Sequence, residues 1–188
     1  ETMIVMEALG RGLVLEPFLT TGVIAARLIA THGSVAQKDR FLGPIAAGEL
    51  RFALAALEPQ SRYDLHDVAT TARRGGAGWV LDGSKSVVLH GDSADWLIVT
   101  ARTHASPTAD EGLTLLLVDA RAPGITAQGS ATIDGQRVAE IDFEGVHVDE
   151  IATIGEVDQG LQLIEWAVDQ GLAALAASLH NVDAAAAP

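Results

Sequence analysis

Residues 47–59 read Ala-Gly-Glu-Leu-Arg-Phe-Ala-Leu-Ala-Ala-Leu-Glu-Pro, and residues 78–91 read Gly-Trp-Val-Leu-Asp-Gly-Ser-Lys-Ser-Val-Val-Leu-His-Gly. In the first stretch Gly48 closes a helical pattern, and Arg51 to Leu57 begins a short apolar run of the kind that forms a strand. Pro59 holds Glu58 in extended backbone. In the second stretch, strand-like runs at Trp79 to Leu81 and Ser84 to Leu89 flank Asp82-Gly83, which predicts a hairpin turn. The chain is therefore read as helical before residue 50 and as β beyond it.

The same period carries outward in both directions. Upstream, Met3 to Leu9 is a short apolar helix that Gly10-Arg11-Gly12 is expected to break, and Phe18 to Thr31 continues at helical spacing to His32-Gly33. Ser34 is a good N-cap for a third helix, with Val35, Phe41, Leu42, Ile45 and Ala46 on one face and Gln37-Lys38-Asp39-Arg40 outside. Downstream, runs at Val68 to Arg73, Trp96 to Ala101, Leu113 to Val118, Ile125 to Gln128 and Val138 to Val148 complete about a hundred residues of β structure, a barrel or sandwich. Gly75-Gly76-Ala77-Gly78 lacks the Lys-Ser/Thr ending of a phosphate loop and reads as a hairpin turn. From Leu161 to Leu179 an Ala-rich helix has apolar positions all round, the pattern of a helix buried on several sides. The tail from Asp183 to Pro188 has no partner within the chain.

The 188 residues, 48% of them apolar, are ample for a packed core. Twelve Lys and Arg against 25 Asp and Glu give a net charge of −13. That charge repels nucleic acid and anionic membranes, and the chain lacks an apolar run long enough to cross a bilayer. The start has no basic region or cleavage site, so a cytoplasmic protein is expected. There is no cysteine, which excludes disulfides and Cys-ligated metals. The histidines (His32, His66, His90, His104, His147, His180) show no metal-ligand spacing, and no metal site is expected.

Taken together, Glu7-x-x-Gly10-Arg11-Gly12, Glu58-Pro59-x-Ser61-Arg62-Tyr63 and Asp82-Gly83-x-Lys85-x-Val87-Val88-Leu89-His90-Gly91 resemble the acyl-CoA dehydrogenase family, most closely small subunits of the pimeloyl-CoA dehydrogenase type. The resemblance implies an α+β fold: the end of an N-terminal helical domain (1–49), a central antiparallel β-barrel or sandwich domain (50–150) and the start of a C-terminal helical domain (151–188). The family chain is about twice as long, so the resemblance implies a middle slice of the fold. It further implies FAD as cofactor, an acyl-CoA substrate, dicarboxylic or otherwise unusual, electron-transfer flavoprotein or a similar acceptor, and a homo- or hetero-oligomer, dimer or tetramer.

The family frame survives here with altered side chains. The family's Thr before Glu-Pro is Leu57, its Gly-Ala-Gly-Ser-Asp reads Gln60-Ser61-Arg62-Tyr63-Asp64, and its Trp-Ile-Thr-Asn reads Val87-Val88-Leu89-His90. Losing the hydroxyl at Leu57 and the indole at Val87 removes roughly 2–3 kcal/mol of flavin contact. The resemblance implies flavin contacts at Ala55, Ala56, Leu57, Tyr63, Val87, Val88 and Leu89, and substrate contacts at Arg62 and His90. Arg62, Lys85 and Arg102 are the local cations for CoA phosphates. No catalytic base is found: alignment puts Gly171 and Leu172 where one branch of the family has Glu and Arg. Glu165 points to another face of the helix, and Glu58 is expected to pair structurally near the β-domain rim. Trp79 and Trp96 read as β core, and Trp166 as an interface residue. The rival reading is a catalytically silent subunit that completes the oligomer and a partner's flavin site.

Overall fold

The computed structural model describes residues 1–104 and 112–179; the tail from Asp183 lies outside these, as does His180. Among the described residues four α-helices, α1 (Thr2–Arg11), α2 (Ala26–His32), α3 (Val35–Ala46) and α4 (Gly160–Leu179), flank eight strands. The strands are β1 (Phe52–Ala55), β2 (Thr71–Gly75), β3 (Gly78–Leu89), β4 (Trp96–Arg102), β5 (Leu113–Asp119), β6 (Ile125–Ala131), β7 (Arg137–Asp149) and β8 (Thr153–Ile154). The change of hydrophobic period near residue 50 and its return after β8 are thus real boundaries.

The sheet runs β6-β7-β3-β2-β4-β5-β8 without closing into a barrel. It is mainly antiparallel, but β1 lies parallel to β4, from Phe52 against Trp96 to Ala55 against Val99. β2 meets β4 further along, also in parallel, at Thr71 against Arg102. One edge of β4 is therefore shared end to end by two strands, and the sheet forks there. Leu97, Ile98, Val99, Leu115 and Leu116, all essentially inaccessible, form the core on either side.

Several local expectations are met and several corrected. Gly76-Ala77 turns the β2–β3 hairpin, with Gly75 opposite Gly78 and Gly76 at φ +64. Asp82-Gly83 is no hairpin. β3 passes straight through it with a register shift, because Gly83 (φ +145) lets the strand lie against Thr70, whose Cα would be 2.6 Å from an added Cβ. Gly10 lies inside α1 instead of ending it. A Cβ there would fall 2.0 Å from the Ser178 carbonyl oxygen, so this glycine sets the close approach of α1 and α4.

Ser34 caps α3 with a full capping box: its Oγ accepts from Gln37 N, and Gln37 Oε1 accepts from Ser34 N. Gln37 is therefore not an outer residue; it is buried, and its Nε2 donates to the carbonyls of Ile151 and Thr153, tying α3 to the start of β8. Val35 is exposed, because the side of α3 next to the cap faces solvent. The 19–25 stretch (Leu19–Ala25) is π-helical, and Thr21 both donates to Phe52 O and accepts from Phe52 N, pinning this turn to β1. α4 buries one stripe, Leu161, Ile164, Ala167, Gly171, Ala174 and Ala177, and exposes Leu172, Leu175 and Leu179. It is covered on one side within this chain, not on several.

Candidate functional site

The ends of β1 and β3 open onto an apolar groove of about 720 Å³, part of it open to solvent. It is lined by Thr20 and Ile24 of the π turn, Leu54, Ala56 and Leu57 after β1, Tyr63 and Leu65, Val87 and Leu89 of β3, and Val168 of α4. Five of the seven residues expected to contact flavin meet here. Ala55 and Val88 do not. They point into the core, at 0% and 2% exposure, because successive strand residues face opposite sides. Thr20, Ile24 and Val168 come from segments far away in sequence, and nothing local to β1 or β3 announces them.

A buried ion pair lies behind the groove. Lys85 Nζ lies 2.6 Å from Glu58 Oε1 and donates to Thr100 Oγ1 at 2.8 Å and, at 3.5 Å, to the Ala56 carbonyl. Glu58 also accepts from Ala69 N at 2.7 Å, Thr70 N at 3.0 Å and Gln60 Nε2 at 2.8 Å. Thr100 belongs to the stretch of β4 where β1 hands over to β2, so the pair fills the fork of the sheet rather than its rim. Burial alone would raise the Glu58 pKa, yet the Lys85 charge and hydrogen bond, with those of Gln60 and Thr70, hold it down at about 2. Burial lowers Lys85 to about 8 against the opposing pull of Glu58. Lys85 is thus withdrawn from any phosphate-binding role.

The rim itself is bent. Between Lys85 and Val88 the β3–β7 register slips, and Val87 sits at φ +52, where a β-branched residue is strained. The bulge is held by Ser86 N donating to Leu57 O at 2.9 Å and by the Glu140 carboxylate accepting from Ser86 Oγ and Val87 N. The Ala56 and Leu57 carbonyls are therefore committed to the fold. The Leu57 N–H has no partner among the described residues.

Leucine and valine walls with one backbone donor fit the edge of a flat apolar ring system. Tyr63, 85% exposed at φ +73, stands at the mouth. Arg62 is exposed and lines neither this groove nor its neighbour, and His90 lines the neighbour. Arg102 is buried and donates to the His66 carbonyl at 2.8 Å, anchoring the turn that carries Tyr63. Gly171 faces Ile24: an added Cβ would lie 3.0 Å from Ile24 Cδ1. Glu165 is exposed on another side of α4. Trp79 is core, Trp96 packs on the core beside Phe41, and Trp166 meets His32 edge-on.

Among the described residues no cluster of three or more potential ligands could hold a metal ion, and no helix is long and apolar enough to cross a membrane. Residues 53–146 match the acyl-CoA dehydrogenase middle domain, and residues 1–49 match the N-terminal domain of the same family. Acyl-CoA dehydrogenase FadE29 of Mycobacterium tuberculosis is 31% identical over 149 residues, 79% of this chain and 38% of that protein. The butyryl-CoA dehydrogenase of Megasphaera elsdenii superposes with a TM-score of 0.87 at 27% identity, over 94% of this chain and 47% of that one. The ChsE4-ChsE5 complex of Mycobacterium tuberculosis contains a chain that superposes with a TM-score of 0.82 at 28% identity, over 89% of this chain and 43% of that one. The chain spans less than half the length of each of these proteins.

Proposed function

Since the chain belongs to the acyl-CoA dehydrogenase family, we propose that it serves as one subunit of a flavin-dependent acyl-CoA dehydrogenase assembly and presents the groove between β1 and β3 to FAD. Residues 1–49, 50–150 and 151–188 are read accordingly as parts of its N-terminal, middle and C-terminal domains. The observation that carries this reading is the convergence of Ala56, Leu57, Tyr63, Val87 and Leu89 on one apolar groove.

FAD, when bound, supplies the hydride acceptor for α,β-dehydrogenation of a thioester. The chain's own part is to hold and to exclude water. The Leu57 N–H would donate to the ring edge, while Val87, Leu89, Leu54 and Val168 would form dry walls that suppress side reactions. Arg62, exposed and next in sequence to Tyr63 at the groove mouth, is the cation left to meet a CoA phosphate, given that Lys85 and Arg102 serve the fold. A second copy or a different subunit, and electron-transfer flavoprotein as acceptor, complete the assembly.

The rival reading, a catalytically silent subunit, is favoured by one relationship. Gly171, the position where a base would stand, is packed on Ile24, which itself lines the groove, so the place of a carboxylate is filled by a methyl group. Proton abstraction then falls to a carboxylate outside the described residues. A dicarboxylic acyl chain of the pimeloyl type would find no cation lining this groove, and its distal carboxylate would need a partner elsewhere.

The visible absorption spectrum decides between the two readings. Flavin absorbance in the protein purified alone, raised at least about tenfold in affinity by Val87→Trp with Leu89→Thr, supports a flavin-holding groove. Flavin that appears only on co-expression with a second subunit, and is indifferent to those substitutions, supports the silent subunit.

A further inference from the structure

Beside the apolar groove lies a second one, about 550 Å³, with no lining residue in common with it. Four segments converge there: Leu15 to Pro17 ahead of the π turn, Arg51 at the start of β1, His90 and Ser93 after β3, and Gly135 to Arg137 entering β7. We propose that this groove binds a phosphate group, gripped by Arg51, His90 and Arg137.

The arginines are held in place for such a ligand. Asp92 and Asp95 stand behind them, with side chains only 16% and 14% exposed, while the guanidinium groups of Arg137 and Arg51 are 52% and 50% exposed. Arg137 turns its Nε–Nη2 edge to Asp92 Oδ2, and Arg51 its Nε–Nη2 edge to Asp95. A guanidinium has five N–H donors in a fixed fork, so a carboxylate on one edge leaves the other edge pointing outward with its direction fixed. His90 is clamped to the same place: its backbone N donates to the Arg137 carbonyl at 2.8 Å, its own carbonyl accepts from Ser93 Oγ, and it sits at φ +56, an uncommon conformation outside glycine. The His90 ring has no hydrogen-bond partner among the described residues.

Two cations, Arg51 and Arg137, and one carboxylate, Glu16, line the groove with Asp92 and Asp95 behind them, whereas the whole chain stands at −13. Phosphate suits the site better than a carboxylate, because its tetrahedral oxygens serve a fork from each wall and an imidazole at once.

The test is titration of the protein with inorganic phosphate, with a nucleoside 5′-monophosphate and with acetate, followed by the His90 ring resonances and by calorimetry. Saturable one-to-one binding of both phosphates, weakened about tenfold or more by Arg137→Gln or by Arg51→Gln and tightened by Glu16→Gln, is the expected result. Equal affinity for the two phosphates points to the free anion as ligand, and tighter binding of the nucleotide to a phosphomonoester. Acetate binding as tightly as phosphate, or His90 resonances that do not move, would overturn the proposal. Arg121→Gln, on a charge outside the groove, controls for general loss of positive potential and should leave binding within about twofold.

Discussion

Lys85 Nζ and Glu58 Oε1 stand 2.6 Å apart at the point where β4 exchanges β1 for β2, with side chains 0% and 2% exposed. Among the described residues each is the other's only counter-charge, so removing one leaves an uncompensated ion in the core. Lys85→Met should cost about 3–5 kcal/mol, and the double change Lys85→Met with Glu58→Leu clearly less. Urea unfolding of the three proteins checks this; a double variant as unstable as the single one would contradict it.

The same pair predicts an acid limb of stability. Glu58 has a folded pKa of about 2, below its ordinary 4.5, so its contribution is fully present above 4.5 and is lost as pH falls toward 2. Asp64, Asp82, Asp95 and Asp134, also lowered, push in the same direction. Glu58→Gln should therefore flatten the acid limb of the unfolding midpoint without abolishing it, and an unchanged slope would refute the assignment to Glu58.

Two helical glycines should respond oppositely. Gly10→Ala drives a Cβ into the Ser178 carbonyl and should cost about 1–3 kcal/mol as α1 and α4 part. Gly43→Ala, inside α3 with nothing within 4 Å of the new methyl, should gain about 0.5–1 kcal/mol. Thermal denaturation reads both.

Val87 is strained in the left-handed region and 54% exposed. Val87→Asn, which tolerates that backbone, should stabilise the protein by about 1 kcal/mol. If melting is unchanged or lowered, the bulge is not strained as described.

On α4, Leu172, Leu175 and Leu179 face solvent along one side. Light scattering should show a dimer or tetramer, and replacing the three leucines with Lys should shift it toward monomer.

Much of this fold is visible in the residues themselves. The change of period near Gly48, the Ser34 cap and the Gly76-Ala77 turn are local events, and local sequence reports them. What local sequence does not report is contact at a distance. Asp82-Gly83 has the composition of a hairpin, but Thr70, thirteen residues upstream of Gly83, decides that the strand continues. Lys85 looks like a surface cation until Glu58 and Thr100 arrive around it. In the groove, strand alternation turns the Ala55 and Val88 side chains away, yet Leu57, of the same parity as Ala55, lines it because β1 has ended at Ala55. Ile24 and Val168 carried no such signal, since the π turn and α4 reach the groove only through the tertiary fold.

The fork at β4 also bears on the order in which the chain folds. β4 pairs with β5 close by in sequence, but β1 reaches its parallel place on β4 across a 44-residue separation, Phe52 to Trp96. Closing that loop carries an entropic cost that only a completed β4 can offset. While the chain is being synthesised, β1 therefore waits without a partner, its apolar residues exposed until β4 has emerged. A nascent chain halted before residue 96 should accordingly be the species most prone to aggregate.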